Sequence, residues 1–477
     1  MTSLSRAALA ALPQSILRPG HDPAAISTGI VHFGPGAFHR AHQAAYIDRL
    51  LDSDPRWGIA AVSLRSPGTV EALKAQDGLY TLAVIDQAPS MRVIAAHSDA
   101  VGPGEGARLR ALLADPAVRI ATSTVTEKGY CLAGDGTLDM AHPDIVRDLS
   151  RPAEPASVIG WIVAGLADRR AAGIPPFAML CCDNMTGNGG KLRAACVALA
   201  HANDPGLADW IESEVAFPDS MVDSITPASD PAFLGHVAHE LGVTDNGAVQ
   251  REGFAQWVLQ RFELPEGPDL AAAGVTLTDD VRGYEQAKLR ILNGAHSSLA
   301  YIGIAVGLET VFEAMSDPAL EGFVSRLVHS DIALTLKPVA GLDVSAYADA
   351  VLDRFRNPEI RHLLSQIAWD GSQKLPYRLL DTIQDALVAG RDVDRLAVPV
   401  AAWIAFVRYK AQAGETITDP LADVLAQTAT GSDVAAAMLA LRQVFPEKLA
   451  TDPRFRHAVT EALLPFLDGH PETLLRR

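Results

Sequence analysis

The residues of this chain best suited to chemistry lie in one segment, Tyr284-Glu285-Gln286-Ala287-Lys288-Leu289-Arg290-Ile291-Leu292-Asn293-Gly294-Ala295-His296. On a regular α-helix, at ~100° per residue, Asn293 stands ~140° and His296 ~80° around the axis from Lys288. All three fit one broad face, interleaved with Leu289 and Leu292. A lysine among leucines is partly desolvated, which lowers its pKa toward the range where it can accept a hydroxyl proton at neutral pH. A carboxamide at position 293 can donate to the alkoxide that then forms. An imidazole at 296 can orient a second hydroxyl or the amine. Glu285, one turn before Lys288, can pass the proton to solvent and joins the substrate-facing set. Interconversion of a secondary alcohol and a ketone suits these groups. The same spacing also fits an ordinary amphipathic helix whose polar residues reach water at its rim.

Such a reaction needs a hydride carrier, and a second motif offers a place for one. Gly29 to Phe33 (GIVHF) predicts a strand that runs into Gly34-Pro35-Gly36-Ala37-Phe38-His39-Arg40, with a helix following through Leu51. A strand, a glycine turn and a helix in that order let the backbone approach a pyrophosphate. Phe33, Gly34, Gly36, Ala37 and Phe38 are therefore candidate cofactor residues. The fingerprint is incomplete, because His39 occupies the third glycine position. The second predicted strand, Trp57 to Leu64, is followed by Arg65-Ser66-Pro67-Gly68, with no carboxylate to grip the adenosine ribose. Arg65 and Ser66 suit a 2′-phosphate. NAD is the cofactor expected, with NADP left open.

These groups need a scaffold. Further strands are predicted at Leu79 to Ile85, Met91 to Ala96, Ile120 to Thr126 and Phe177 to Cys182, with long helices at Ser157 to Ala172 and Gly190 to Ala202. Strands alternating with helices indicate a largely parallel, doubly wound sheet. Beyond residue 280 the strands stop, and helices are predicted from Tyr284 to Val306 and onward, among them Val344 to Phe355, Pro358 to Ile367 and Val398 to Ala411. The fold class is α/β plus all-α, with domains at residues 1–280 and 281–477. A short amphipathic helix is expected within Met1 to Leu17.

Composition removes several functions. A net charge of −17 opposes nucleic-acid binding, which requires a basic surface. The longest apolar runs, such as Leu396 to Val407, are too short for a membrane span, so a cytoplasmic protein is expected. The four cysteines, Cys131, Cys181, Cys182 and Cys196, form neither a disulfide framework nor a zinc pattern. No metal is expected.

Several segments together resemble the mannitol dehydrogenase family of long-chain polyol dehydrogenases: GIVHFGPGAFHRAHQA, SLRS, QDGLYTL, TVTEKGY, CCDNMTGNG, FPDSMVDSITP, KLRILNGAHSSLAYIG and DGSQKLP. They run from residue 29 to 376. The resemblance implies a Rossmann-type dinucleotide-binding domain followed by a helical domain, with a metal-independent site in the cleft between. It implies Lys288 as general acid/base, Asn184 and Asn293 as the oxyanion pair, and His296, Asp223 and Lys374 as substrate contacts. Val222 and Thr126, the latter in TVTEKGY, join the cofactor set. Two departures bear on specificity. Mannitol-specific members carry an arginine eight residues before the lysine of DGSQKLP, and this chain has Gln366. The acidic pair that selects NAD is replaced by Pro67-Gly68. QIAWDGSQKLPYRLL looks closer to the fructuronate reductase (mannonate oxidoreductase) branch, where Lys374 and Arg378 would face a carboxylate. The substrate expected is a small sugar acid, D-mannonate or D-fructuronate. The alternative is a neutral polyol, as in a mannitol 2-dehydrogenase or arabinitol dehydrogenase. A monomer or small homo-oligomer is expected.

Overall fold

A computed structural model describes residues 2–86 and 88–476. The chain forms two compact units, Met1–Arg282 and Gly283–Arg477.

The first unit is built on five parallel strands: β1 (Thr28–Phe33), β2 (Gly58–Val62), β3 (His97–Val101), β4 (Ile120–Ser123) and β5 (Ala178–Cys181). Their spatial order is β3-β2-β1-β4-β5, the dinucleotide-binding arrangement in which the order reverses beside β1. Period-two alternation sends Val31, Phe33, Ala60, Val62, Met179 and Cys181 into one core. Ile30, Ile59, Ala61, Ala178 and Leu180 go into a second core on the opposite face. Both faces are covered, so these strands read as continuous apolar runs. The helix Val158–Ala172 starts where the Ser157 hydroxyl accepts the Gly160 N–H at 2.9 Å, and it stops at Gly173 in the left-handed region. All four cysteines are free and buried.

The structure departs from the sequence reading in several places. Tyr80–Ile85 and Ser90–Ile94 leave the parallel sheet and form an antiparallel hairpin in a second sheet, beside Ile16–Leu17 and Val249–Glu252. Ser220–Asp223, Gln256–Gln260 and Thr276–Thr278 form a third sheet where no strand was predicted. Those strands are short, with apolar runs of at most three residues (Trp257 to Leu259), too brief to announce a strand by themselves. The helix after the glycine turn is broken at His42 into Ala37–Ala41 and Gln43–Leu50. The N-terminal helix is a 3₁₀ segment, Arg6–Ala11, with Pro13 just beyond it barring continuation.

The second unit is helical. Val281–Ala287 and Gly294–Ala305 are continuous through a π-helical stretch, Lys288–Asn293. Gly294–Ala305 packs on the long helix Asp394–Ala413, which packs in turn on Pro453–Leu467. The helix predicted across 358–367 is confined to Leu364–Ile367.

Beneath β1 lies a buried stack of imidazoles. The rings of His32 and His39 lie face to face, 3.4 Å apart. The Nε2 atoms of His39 and His97 meet at 3.1 Å, so one must donate while the other accepts. Burial holds His32 and His97 at about 3, below the ordinary 6.5. The unfolded chain therefore binds more protons than the folded one at mildly acidic pH. This stack's contribution is complete above about pH 6.5 and is lost as pH falls toward 3, at roughly 1.4 kcal/mol per pH unit for each imidazole. Urea unfolding at pH 7, 6 and 5 should show that decline, with a shallower slope in His97→Asn. A pH-independent midpoint across this range would contradict it.

Candidate active site

In the first unit, candidate cofactor residues gather at the carboxyl ends of the parallel strands. Gly34 follows β1 with φ +87. A Cβ there would stand 2.2 Å from the Thr124 carbonyl oxygen, so only glycine fits. Its own carbonyl accepts the Gly36 N–H at 2.7 Å, the Thr124 hydroxyl at 2.7 Å and His32 Nε2 at 3.2 Å. The imidazole stack thus fastens the turn from below. Gly36 differs. Its φ is an ordinary −66, and a Cβ would meet nothing nearer than the Gly34 oxygen at 3.9 Å. Nothing among the described residues requires a glycine at 36, whereas a phosphate approaching the backbone does. The bare backbone here fits a dinucleotide.

A cavity of about 340 Å³ opens beside this turn, lined by Phe33, Gly34, Ser63, Arg65, Ser66 and Thr126 among others. Of the predicted cofactor set, Phe33, Gly34, Arg65, Ser66 and Thr126 thus share one cavity. Gly36 is exposed above it, while Ala37 and Phe38 pack against the core. Val222 is 2% exposed and belongs to that same core, so its side chain is spent on packing.

Asp183, just beyond β5, positions the rim. Its carboxylate accepts the Val125 N–H at 2.9 Å, the Thr126 N–H at 3.0 Å and the Tyr130 hydroxyl at 2.6 Å. The two backbone bonds hold Thr126 at φ +66, an uncommon conformation for a threonine. Asn188 bonds the carbonyls of Cys181, Asp183 and Ser220, tying the end of β5 to the strand bearing Asp223. Asn184 is exposed in that turn, and Asp223 is buried. The sequence reading passed over Asp183 and Asn188, although CCDNMTGNG contains both. Cys131, His142 and Asp144 also come within 4.8 Å of one another. His142 is engaged by the Asp144 N–H, and Asp144 by Arg65.

In the second unit, Lys288 opens and Asn293 closes the π-helical stretch. Hydrogen bonding from i to i+5 widens the turn, so residues five apart lie closer in angle than on a regular α-helix. The regular-helix expectation of ~140° between them is corrected accordingly: the wider turn brings positions 288 and 293 nearer to one face. Arg290 anchors the stretch, bonding Asp385 at 2.6 Å and Thr335 Oγ1 at 3.2 Å. Two further π-helical segments, Leu327–Ile332 and Pro376–Leu380, pack against it. A Cβ on Gly294 would lie 2.9 Å from the Arg378 carbonyl oxygen, so glycine allows that close approach.

His296 lies one turn on. Its ring stacks on Phe355 at 5.1 Å and meets the edge of His362 at 4.6 Å. Its Nε2 is buried and has no hydrogen-bond partner among the described residues. Burial first, then His362, Arg378, Arg354 and Lys374, push its pKa well below the usual value, so it is neutral at pH 7. Arg378 donates to Ser297 Oγ at 3.0 Å, and its buried Nε finds no acceptor. Among the described residues, Lys374 Nζ reaches only the Ile367 carbonyl, at 3.4 Å. Burial and the neighbouring Arg378 lower the Lys374 pKa. Glu285 is buried, and Gln366 is exposed.

The sheet order and the glycine turn define a Rossmann-type dehydrogenase carrying a helical second unit. The Mannitol dehydrogenase Rossmann domain profile matches residues 28–270, and the Mannitol dehydrogenase C-terminal domain profile matches 280–466. The chain belongs to the mannitol dehydrogenase family, and it is a dehydrogenase acting on CH–OH groups with a nicotinamide cofactor. It is 41% identical over 462 residues to the D-mannonate oxidoreductase of Escherichia coli (strain K12), covering 94% of this chain and 95% of that one. A substrate-free D-sorbitol dehydrogenase superposes with a TM-score of 0.94 at 31% identity, covering 100% of both chains. The Pseudomonas fluorescens mannitol 2-dehydrogenase in ternary complex with NAD and D-mannitol gives 0.81 at 35%, covering 100% of this chain and 99% of that one. No helix among the described residues is long and apolar enough to cross a membrane.

The two glycines should separate under mutation. Gly34→Ala is expected to cost about 2–4 kcal/mol in urea unfolding, from forced φ and the clash. Gly36→Val should stay within ~0.5 kcal/mol of the parent yet bind NADH at least tenfold more weakly by fluorescence titration. Unaltered NADH binding would remove Gly36 from the cofactor site.

Proposed function

We propose that this enzyme interconverts a secondary alcohol and a ketone on a six-carbon sugar acid, with D-mannonate and D-fructuronate preferred. The observation carrying the acid over the neutral polyol is the pair Lys374 and Arg378. Neither has a carboxylate at ion-pair distance among the described residues. An arginine with a buried, unbonded Nε beside a lysine of depressed pKa is a costly arrangement without an anion. A substrate carboxylate resolves it, since a guanidinium matches that group in charge and shape. The family relationship to a D-mannonate oxidoreductase supports the same reading.

In this proposal Lys288 exchanges the proton with the reacting oxygen, and Asn184 and Asn293 donate to the charge that develops there. Neutral His296 uses its unbonded Nε2 to hold a substrate hydroxyl. Asp223, Glu285 and Gln366 complete the substrate contacts. When bound, the nicotinamide accepts or returns the hydride. The glycine turn serves NAD and NADP alike; what separates them is the end of β2.

Turnover assays with mannonate, fructuronate, mannitol and fructose test the proposal. Lys288→Ala should lower kcat by about 10²–10⁴-fold while NADH still binds. Arg378→Gln should raise KM for mannonate about 10–100-fold, as expected for loss of a charge-assisted bond, with little effect on any residual mannitol turnover. Activity on mannitol without activity on mannonate would overturn the sugar-acid reading. Full turnover in Lys288→Ala would overturn the mechanism.

A further inference from the structure

Two cavities meet at the end of β2. The smaller lies beside the glycine turn. The larger, about 1020 Å³, extends past the ends of β2 and β3, touching Val62, Val101 and Gly102. Leu64, Arg65, Lys128 and Ala156 line both. Arg65 and Lys128 therefore stand on the lip between the space over β1 and the space over β2 and β3. In a sheet of this order the pyrophosphate lies at the glycine turn, and the adenosine ribose lies at the end of the second strand. The lip stands at the strand end where a sheet of this order holds that ribose.

The electrostatics of the lip favour an anion. Arg65 is presented by a fixed turn in which the Ser63 hydroxyl donates to the Ser66 carbonyl at 2.6 Å. Its one ion pair among the described residues is with Asp144 at 2.6 Å, and the arginine side chain is 74% exposed. An ion pair that open to water contributes little and yields readily to a stronger anion. Lys128 and Arg147, which also lines the larger cavity, are exposed and have no acidic partner among the described residues. The acid at the end of β3 is already committed: Glu105 accepts the Gly102 N–H at 2.6 Å and pairs with Lys74 at 2.6 Å. Arg110 is likewise occupied by Asp168. Glu154 lines the larger cavity alone and is absent from the lip. In a chain of net charge −17, two cations without an acidic partner among the described residues and a third in an exposed ion pair, all lining the larger cavity, form a local exception.

We propose that Arg65 and Lys128, backed by Arg147, form a phosphomonoester site, and that the dinucleotide this chain prefers carries a 2′-phosphate on its adenosine ribose. Asp144 is the competing anion that holds Arg65 in place until the phosphate displaces it. The proposal rests on reading the strand-end crevice as a nicotinamide dinucleotide site. It adds the residues that choose between the two forms.

The test is binding to the full chain, read by reduced-nicotinamide fluorescence. NADPH should bind at least tenfold more tightly than NADH. Adenosine 2′,5′-bisphosphate should displace it at lower concentration than adenosine 5′-monophosphate. Arg65→Glu, with its fold checked by circular dichroism, should weaken NADPH at least tenfold and leave NADH nearly unchanged. Asp144→Asn, which frees Arg65 without adding charge, should tighten NADPH severalfold. Equal or tighter NADH binding, with NADPH unaffected by Arg65→Glu, overturns the phosphate site while leaving the crevice reading intact. Failure of both dinucleotides to bind overturns the crevice reading and this proposal with it.

Discussion

The chemistry assigned to the second unit depends on one backbone irregularity, the π-helical stretch Lys288–Asn293. A regular helix would turn the carboxamide of Asn293 well away from the amine of Lys288. The wider turn reduces the angle between the two positions. Such a distortion persists only when its surroundings enforce it. Arg290 does so from within, clamped to Asp385 and Thr335. Pro376–Leu380 does so from outside, approaching so closely that Gly294 can carry no side chain. Arg378 belongs to that same outer segment. The element that shapes the proposed catalytic turn therefore also delivers the cation proposed to read the substrate.

Much of the architecture was legible from local rules. β1 and β2 declared themselves as apolar runs because both faces are buried. The helix Val158–Ala172 was readable from Ser157 at its start and Gly173 at its end. Gly34 was readable because a turn at positive φ needs glycine. What escaped notice was what neighbours impose. No periodicity announces a π-helical turn, since KLRILN is ordinary helix-forming sequence. The strands Ser220–Asp223 and Gln256–Gln260 exist because they pair with each other. Asp183 and Asn188 act through backbone amides and carbonyls of other segments, which no local rule reveals. Val222, a motif position, carries a side chain buried in the core on one face of the sheet.

The two units handle charge in opposite ways. In the first, the imidazoles buried near the turn are neutral, although Nδ1 of His39 and of His97 finds no partner among the described residues. His32 and Thr124 bond the Gly34 carbonyl, and desolvation keeps the imidazoles uncharged. That suits a surface that must hold a backbone still and present bare N–H groups. In the second, Arg378 and Lys374 keep their charge potential with few bonds to spend it on. Rigidity there would be better served by neutral packing. Retaining two underbonded cations makes physical sense if an arriving anion supplies the missing partner.

That difference bears on how substrate choice can change within this fold. The groups proposed to move the proton lie on the π-helical turn, fixed by Arg290. Those proposed to read the far end of the substrate lie on other segments: Gln366 on Leu364–Ile367, Lys374 on Gly371–Leu375 and Arg378 on Pro376–Leu380. An arginine in place of Gln366, or a neutral residue in place of Arg378, would move the positive charge without touching Arg290 or the π-helical turn. Because Arg378 meets Gly294 through its backbone oxygen, its side chain can be exchanged while the contact that shapes the turn survives. The fold thus separates the backbone of the proposed catalytic turn from the side chains proposed to select what enters it.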